Sequence, residues 1–170
     1  MDFEKVIRER YACRAFLDEL IPEEKIREIL EAAHMAPTAK NLQPQKIFVI
    51  QSEAACEVIR EATPCSYGAR QFFLVGYDRE QAWIRSFDER NFGVVDASIV
   101  ATHLVLAIEN AGLESCWVGH FDPAVIREKL PSLAAYDFVA IFPFGHAAPE
   151  GGPSERHEQR RPSSDCVEFI

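Results

Sequence analysis

The chain has 170 residues, 48% hydrophobic and 26% charged, a composition that fits one globular domain spanning residues 1–170. A net charge of −9 argues against a nucleic-acid role, which needs a basic face, but leaves room for a local basic pocket. The five cysteines are scattered, odd in number and free of any C-x-x-C pair, the usage of a reducing cytoplasm, and the histidines lack metal-ligand spacing, so no metal is expected. The opening MDFEKVIRERY is charged and amphipathic, unlike a secretory signal, and no lipidation motif is evident, so the expected location is the cytoplasm.

Phe3, Val6 and Ile7 recur at helical spacing and predict a short helix over residues 2–10. It gives way to Arg10-Tyr11-Ala12-Cys13-Arg14, where two arginines four apart flank uncharged residues. Alone, that pair reads either as a solvated helix end or as an anion site. Pro22 and two glutamates open a second helix with a buried stripe of Ile26, Ile29, Leu30 and Ala33, and Pro37 ends it. Residues 36–44 form a proline-bounded loop carrying Thr38, Asn41 and Gln43. Its carboxamides suit either a polar ligand edge or the loop's own backbone.

Residues 46–51 predict a strand, Ser52 caps a helix running to about Ala62, and residues 64–68 form a turn. Residues 71–77 are almost wholly apolar and predict a central strand. Residues 78–91 carry mixed signals and are left unassigned.

Residues 92–112 predict a long helix whose apolar side chains spread around most of its circumference. Asp96, Ser98, Thr102 and His103 interrupt it, leaving runs far short of the roughly 18 residues of a membrane span. Such a helix must be covered by a sheet, by other helices or by a second copy of the chain. Residues 115–119 predict a third strand, Asp122-Pro123 a capped helix to about Leu130, and residues 138–144 a fourth strand. The segment 147–161 is polar, and the apolar close at residues 166–170 predicts a docked tail.

Strands separated by helices give an α/β or α+β domain with a helix-flanked sheet. No G-x-G-x-x-G follows the first strand, and neither a P-loop nor a G-x-S-x-G elbow is present.

Four segments then line up in order: Ile7-x-x-Arg10-x-x-x-Arg14-x-Phe16, Ala36-Pro37-Thr38-Ala39-x-Asn41-x-Gln43-Pro44, Gly112-Leu113-x-x-Cys116-Trp117-Val118-Gly119, and Gly145…Pro149…Arg160-Arg161-Pro162. Together they resemble the nitroreductase family of FMN-dependent oxidoreductases, over nearly the whole chain and in its compact form. The resemblance implies an α+β fold with a mostly antiparallel or mixed sheet and a long buried central helix. It also implies an intertwined homodimer, in which the C-terminal segment from about 147 to 170 wraps over the partner.

By the same resemblance, Arg10 and Arg160 match the arginines that hold the FMN phosphate, with Tyr11 and Ala12 beside them, and Arg14 matches the basic residue near flavin N1. Pro37, Thr38, Ala39 and Asn41 match a loop that closes over the ring from the second chain, and Val118 and Gly119 match backbone donors to N5 and O4. Ala12 stands where the family usually has a serine, so one hydroxyl contact is missing. Of the family's mid-chain flavin contacts, Ser66, Tyr67, Arg70 and Gln71 occupy the right region without a residue-level match. Asp96, His103 and Cys116 read as structural residues.

The implied activity is reduction of FMN by NAD(P)H, followed by reduction of a nitroaromatic, quinone or related small acceptor in a ping-pong cycle, with no catalytic side chain required and no nucleic acid or membrane as partner. The alternative is a flavin-binding carrier or redox-sensing module with little turnover.

Overall fold

The computed structural model describes residues 2–170. Its centre is a strand buried along its whole length. β2 (Gln71–Tyr77) is buried at every position and pairs antiparallel with β1 (Gln45–Ile50) on one side and with β6 (Asp137–Gly145) on the other. β5 (Glu114–Ser115) completes the order β1-β2-β6-β5. Side chains alternate across a strand, so the sheet has two apolar faces. Phe73, Val75, Ala140, Phe142 and Phe144 point to one, and Phe72, Leu74 and Ile141 to the other.

Each face is covered by helices. α2 (Glu23–His34) and α4 (Gly93–Asn110) close the first, while α3 (Glu53–Ala62) and α5 (Pro123–Lys129) close the second. α1 (Phe3–Glu9) lies against α4. The two cap signals act as predicted: Ser52 Oγ accepts the Ala55 N–H at 3.4 Å, and Asp122 Oδ1 accepts that of Ala124 at 2.8 Å. Gly93 starts α4 flush against Tyr77, where a Cβ would lie 2.1 Å from the ring.

The chain is α+β, with the long helix where the sequence placed it. α4 is long and apolar enough to cross a membrane, at 18 residues and mean hydropathy 1.3, but Ala97, Ala101, Leu104 and Ile108 pack wholly inside the protein core. All four strands pair antiparallel, and a parallel bridge between Ala12 and Ser115 adds the N-terminal segment to the β5 edge. The unassigned stretch contains a small hairpin, β3 (Ile84–Arg85) with β4 (Arg90–Asn91).

One expectation of the fold needs correction. The strand expected over residues 115–119 is interrupted: the ladder covers Glu114–Ser115, and only Val118 rejoins Ile141. Cys116 N–H donates to Pro143 O, and proline has no N–H to return the bond. The long helix is not covered all round by its own chain. Val94 is 44% exposed and Thr102 is exposed, with Val95, Ile99 and His103 only half-buried along the same side. At the C-terminal end, Phe169 is 98% exposed and Val167 and Ile170 are open.

The last turn of α4 carries an electrostatic cost. Burial, with Glu114 and Glu9 nearby, holds the Glu109 carboxyl above the usual carboxylate range, and Arg10 only partly offsets this. A carboxylate at a helix C-terminus is also opposed by the helix dipole. A proton held more tightly in the folded state means stability that is present below the unfolded value of 4.5 and is lost as pH rises through the folded one. Glu109→Gln should therefore raise the Tm of the apoprotein at pH 7, and the gain should shrink to nothing as pH falls below 4.5. Thermal melts across pH check this; a gain that grows toward acid would contradict it.

Candidate functional site

After α1 the chain becomes extended and lies along the exposed edge of the sheet. Cys13 N–H donates to Ser115 O at 3.0 Å, Phe16 N–H to Tyr67 O at 3.1 Å and Leu17 N–H to His146 O at 2.9 Å. The apolar members of the segment, Cys13 and Phe16, turn inward, while Arg10 and Tyr11 stay half-buried and Arg14 is exposed. Four residues of extended chain separate the two guanidinium groups by about 13 Å of backbone.

Arg10 opens onto a cavity of about 250 Å³ lined by Arg10, Ala12, Ser154, Arg156, His157 and Arg160. The two ends of the sequence thus bring three arginines and a histidine together on a protein of net charge −9. Arg160 is fixed by its own segment, Nη1 donating to His157 O at 2.5 Å and to Gln159 O at 2.9 Å. The His157 ring meets Tyr11 edge-on at 6.2 Å, tying the tail to the N-terminal segment. Tyr11 stays a neutral phenol, pushed up to about 12 by burial and by Glu114. A planar guanidinium presents two parallel donors to a phosphate, so this cavity has the chemistry of a phosphate site.

Farther along the segment, the Arg14 guanidinium lies beside Tyr67. A hydrogen bond with the Cys65 thiol and burial hold the Tyr67 phenol above its usual range, with Arg14 pulling the other way. Tyr67 is itself held at φ 53, in the left-handed region. Of the other mid-chain candidates, Gln71 is committed to the fold: its Oε1 accepts the Ile21 N–H at 2.7 Å. Arg70 pairs with Asp18 at 2.7 Å on the surface. Ser66 remains in the turn before β2.

Val118 departs from the sequence expectation. Its N–H donates to Ile141 O at 2.9 Å, so the sheet already uses that donor. Gly119 is exposed, and nothing lies within 4 Å of where its Cβ would stand. Of the expected backbone donors, Gly119 is the one whose surroundings leave space for a flat ring.

The loop with Pro37, Thr38, Ala39 and Asn41 lies on the other side of the sheet, anchored to α4. Ala39 N–H donates to Asp96 Oδ1 at 2.8 Å, and Thr38 Oγ1 accepts the Gln43 N–H at 3.1 Å. Asn41 and Leu42 are exposed. Asp96 therefore has the local donor expected of a buried carboxylate. His103 lies in a groove of about 320 Å³ with Phe3 and Leu106, and Cys116 is buried in the core.

The sequence reading missed Ser154, Arg156 and His157. The basic residues Arg156, Arg160 and Arg161 within a polar stretch were the available signal, but nothing local shows which of them turns back toward Arg10. Ser154 lines the same cavity as Ala12, the position at which this chain lacks the serine of the family pattern.

The sequence profile of the nitroreductase family matches residues 7–83 and 66–146. A Methanothermobacter thermautotrophicus protein described as an NADH dehydrogenase/NAD(P)H nitroreductase is 32% identical, over 95% of this chain and 85% of that one. The crystal structure of a nitroreductase family protein from Clostridium difficile 630 superposes with a TM-score of 0.91 at 34% identity, covering 99% of this chain and 98% of the other. A nitroreductase from Desulfovibrio desulfuricans, solved in complex with FMN, gives a TM-score of 0.77 at 27% identity over 100% of this chain and 97% of its own. The family profile covers residues 7–146 and the likeness of fold 99% of the chain, and the chain belongs to the nitroreductase family.

Proposed function

We propose that this protein is an FMN-dependent NAD(P)H oxidoreductase that reduces small acceptors such as nitroaromatics and quinones, working as a homodimer. The observation that carries this reading is the convergence of Arg10, Arg156 and Arg160 on one cavity, from which an extended segment leads to Arg14 and Tyr67. The FMN-bound relative from Desulfovibrio desulfuricans supports FMN as the ligand, and the Methanothermobacter relative supports a nicotinamide donor.

The residues present fit that cofactor. Arg10 and Arg160 would grip the 5′-phosphate, with Ser154 supplying the hydroxyl that Ala12 cannot. Arg14 would place a fixed positive charge beside the ring, favouring electron uptake, and the Gly119 N–H would donate to its edge. FMN, when bound, supplies the two-electron hydride chemistry. Residues 37–41 of the second subunit would cover the ring and exclude water. Nicotinamide and acceptor would use one exposed face in turn, which gives ping-pong kinetics.

The open stripe of α4 supports the dimer. Val94, Val95, Ser98, Ile99 and Thr102 line a depression of about 310 Å³, and the groove at His103 and Leu106 continues it. A contiguous apolar face of this kind marks an interaction surface. Of the C-terminal segment, from about 147 to 170, Ala148 and His157 hold to their own chain, and the exposed Val167, Phe169 and Ile170 suit an end that reaches over the second subunit, as part of one domain spanning residues 1–170. The five free thiols suit a cytoplasmic protein.

Arg10→Ala and Arg160→Ala should each weaken FMN binding by about 1.5–3 kcal/mol, the worth of a charge-assisted hydrogen bond. Flavin fluorescence titration checks this, and unchanged affinity in both variants would remove the phosphate assignment. By light scattering the protein should have about twice the mass of its 19.2 kDa chain, and Val94→Glu should shift it toward monomer. A stable wild-type monomer at micromolar concentration would contradict the interface.

A further inference from the structure

The loop after α2 is strained. Lys40, Asn41 and Gln43 have φ values of 52, 56 and 53, and none is glycine. Side chains rarely adopt this left-handed region, and such backbone persists only where the surroundings impose it. Within the loop, Asn41 N–H donates to Thr38 O at 3.0 Å and Leu42 N–H to Ala39 O at 3.1 Å. These bonds close the turn without fixing where it sits.

Asp96 fixes it. The carboxylate is 2% exposed, in the first turn of α4, and its Oδ1 accepts the Ala39 N–H at 2.8 Å across 57 residues of sequence. Its Oδ2 is buried with no hydrogen-bond partner. A buried carboxylate with one idle oxygen carries a larger desolvation cost than a neutral acceptor would. The helix N-terminus supplies compensating positive potential. Lys40 Nζ, 5.8 Å from the Trp83 ring, adds a softer hold at the loop tip.

We infer that Asp96 is a positioning residue for the reaction. It sets the strained conformation of residues 38–43, and through it the shape of the chamber in which nicotinamide and acceptor bind. The inference rests on the proposed flavin reductase activity and on residues 37–41 covering the ring. Asp96 touches neither ring nor substrate; it acts through Ala39.

The bond can be removed from either side. Asp96→Ala deletes the acceptor. Ala39→Pro deletes the donor and leaves the carboxylate in place, and the extended Thr38 (φ −133, ψ 159) is the backbone a following proline requires. Asp96→Asn keeps an acceptor oxygen. Hydrogen exchange on the full chain, measured without flavin, should show the segment 37–43 exchanging about ten-fold faster in Asp96→Ala and Ala39→Pro, with β2 unchanged and Asp96→Asn close to wild type. With FMN bound, the first two variants should raise KM for NAD(P)H by about five-fold or more with a smaller change in kcat, their effects should not add, and Asp96→Asn should restore KM. Wild-type loop exchange in both disrupting variants would overturn the inference. So would faster exchange with unchanged KM, which would leave Asp96 a purely structural anchor. Failure of the functional reading is distinguishable, because a wild-type protein without flavin-dependent turnover reveals it before any variant is compared.

Discussion

The two-sided burial of β2 is the constraint on which the rest of this structure depends. An antiparallel strand commonly keeps one face in water, but Gln71–Tyr77 keeps neither. Phe72, Phe73 and Leu74, all fully buried, each contribute roughly 1.5–3 kcal/mol by leaving water. That gain requires a helical layer on each face, α2 with α4 on one and α3 with α5 on the other. Even the one carboxamide in the strand serves the fold, since Gln71 pins the backbone of Ile21 where α2 begins. With the interior so closed, chemistry is left to the sheet edge, the chain ends and the loop after α2.

The candidate site is built from those parts. β5 is too short to close the sheet, so the segment from Ala12 to Phe16 bonds along its edge and carries Arg10 and Arg14 with it. The tail returns to the same edge, where Ala148 N–H meets Ala15 O and His157 meets Tyr11. A strongly acidic protein thereby gains one concentrated basic cavity, which draws an anionic ligand to one place and leaves the remaining surface unattractive to polyanions. The opposite side of the sheet holds the strained loop and the open stripe of α4, the features that one chain leaves uncovered.

Much of this was legible in the residues. The apolar run of β2, the Ser52 and Asp122 caps and the length of α4 are local signals with local causes, and the structure follows them. The failures are non-local. The broken strand after Ser115 depends on Pro143, which faces Cys116 only once β6 is in place. Val118 looked like a free donor because its sheet partner, Ile141, lies 23 positions away. The hairpin at residues 84–91 rests on two short pairings in a charged stretch with no alternation to reveal it. In the phosphate-like cavity, Arg10 and Arg160 were named through the family pattern, whereas Ser154, Arg156 and His157 follow from the path of the tail. The apolar circumference of the long helix called for a sheet, other helices or a second copy to cover it, and one chain covers all but the stripe at Val94 and Thr102.

The central claim is that these residues hold FMN and pass electrons from NAD(P)H to a second substrate. The visible absorption spectrum of the purified protein, reconstituted with FMN and then treated anaerobically with NADH and with NADPH, tests it most directly. The account predicts flavin bands that survive gel filtration and bleach on addition of at least one of the two nucleotides. A protein that takes up no FMN, or one whose flavin bands persist through both additions, would contradict it.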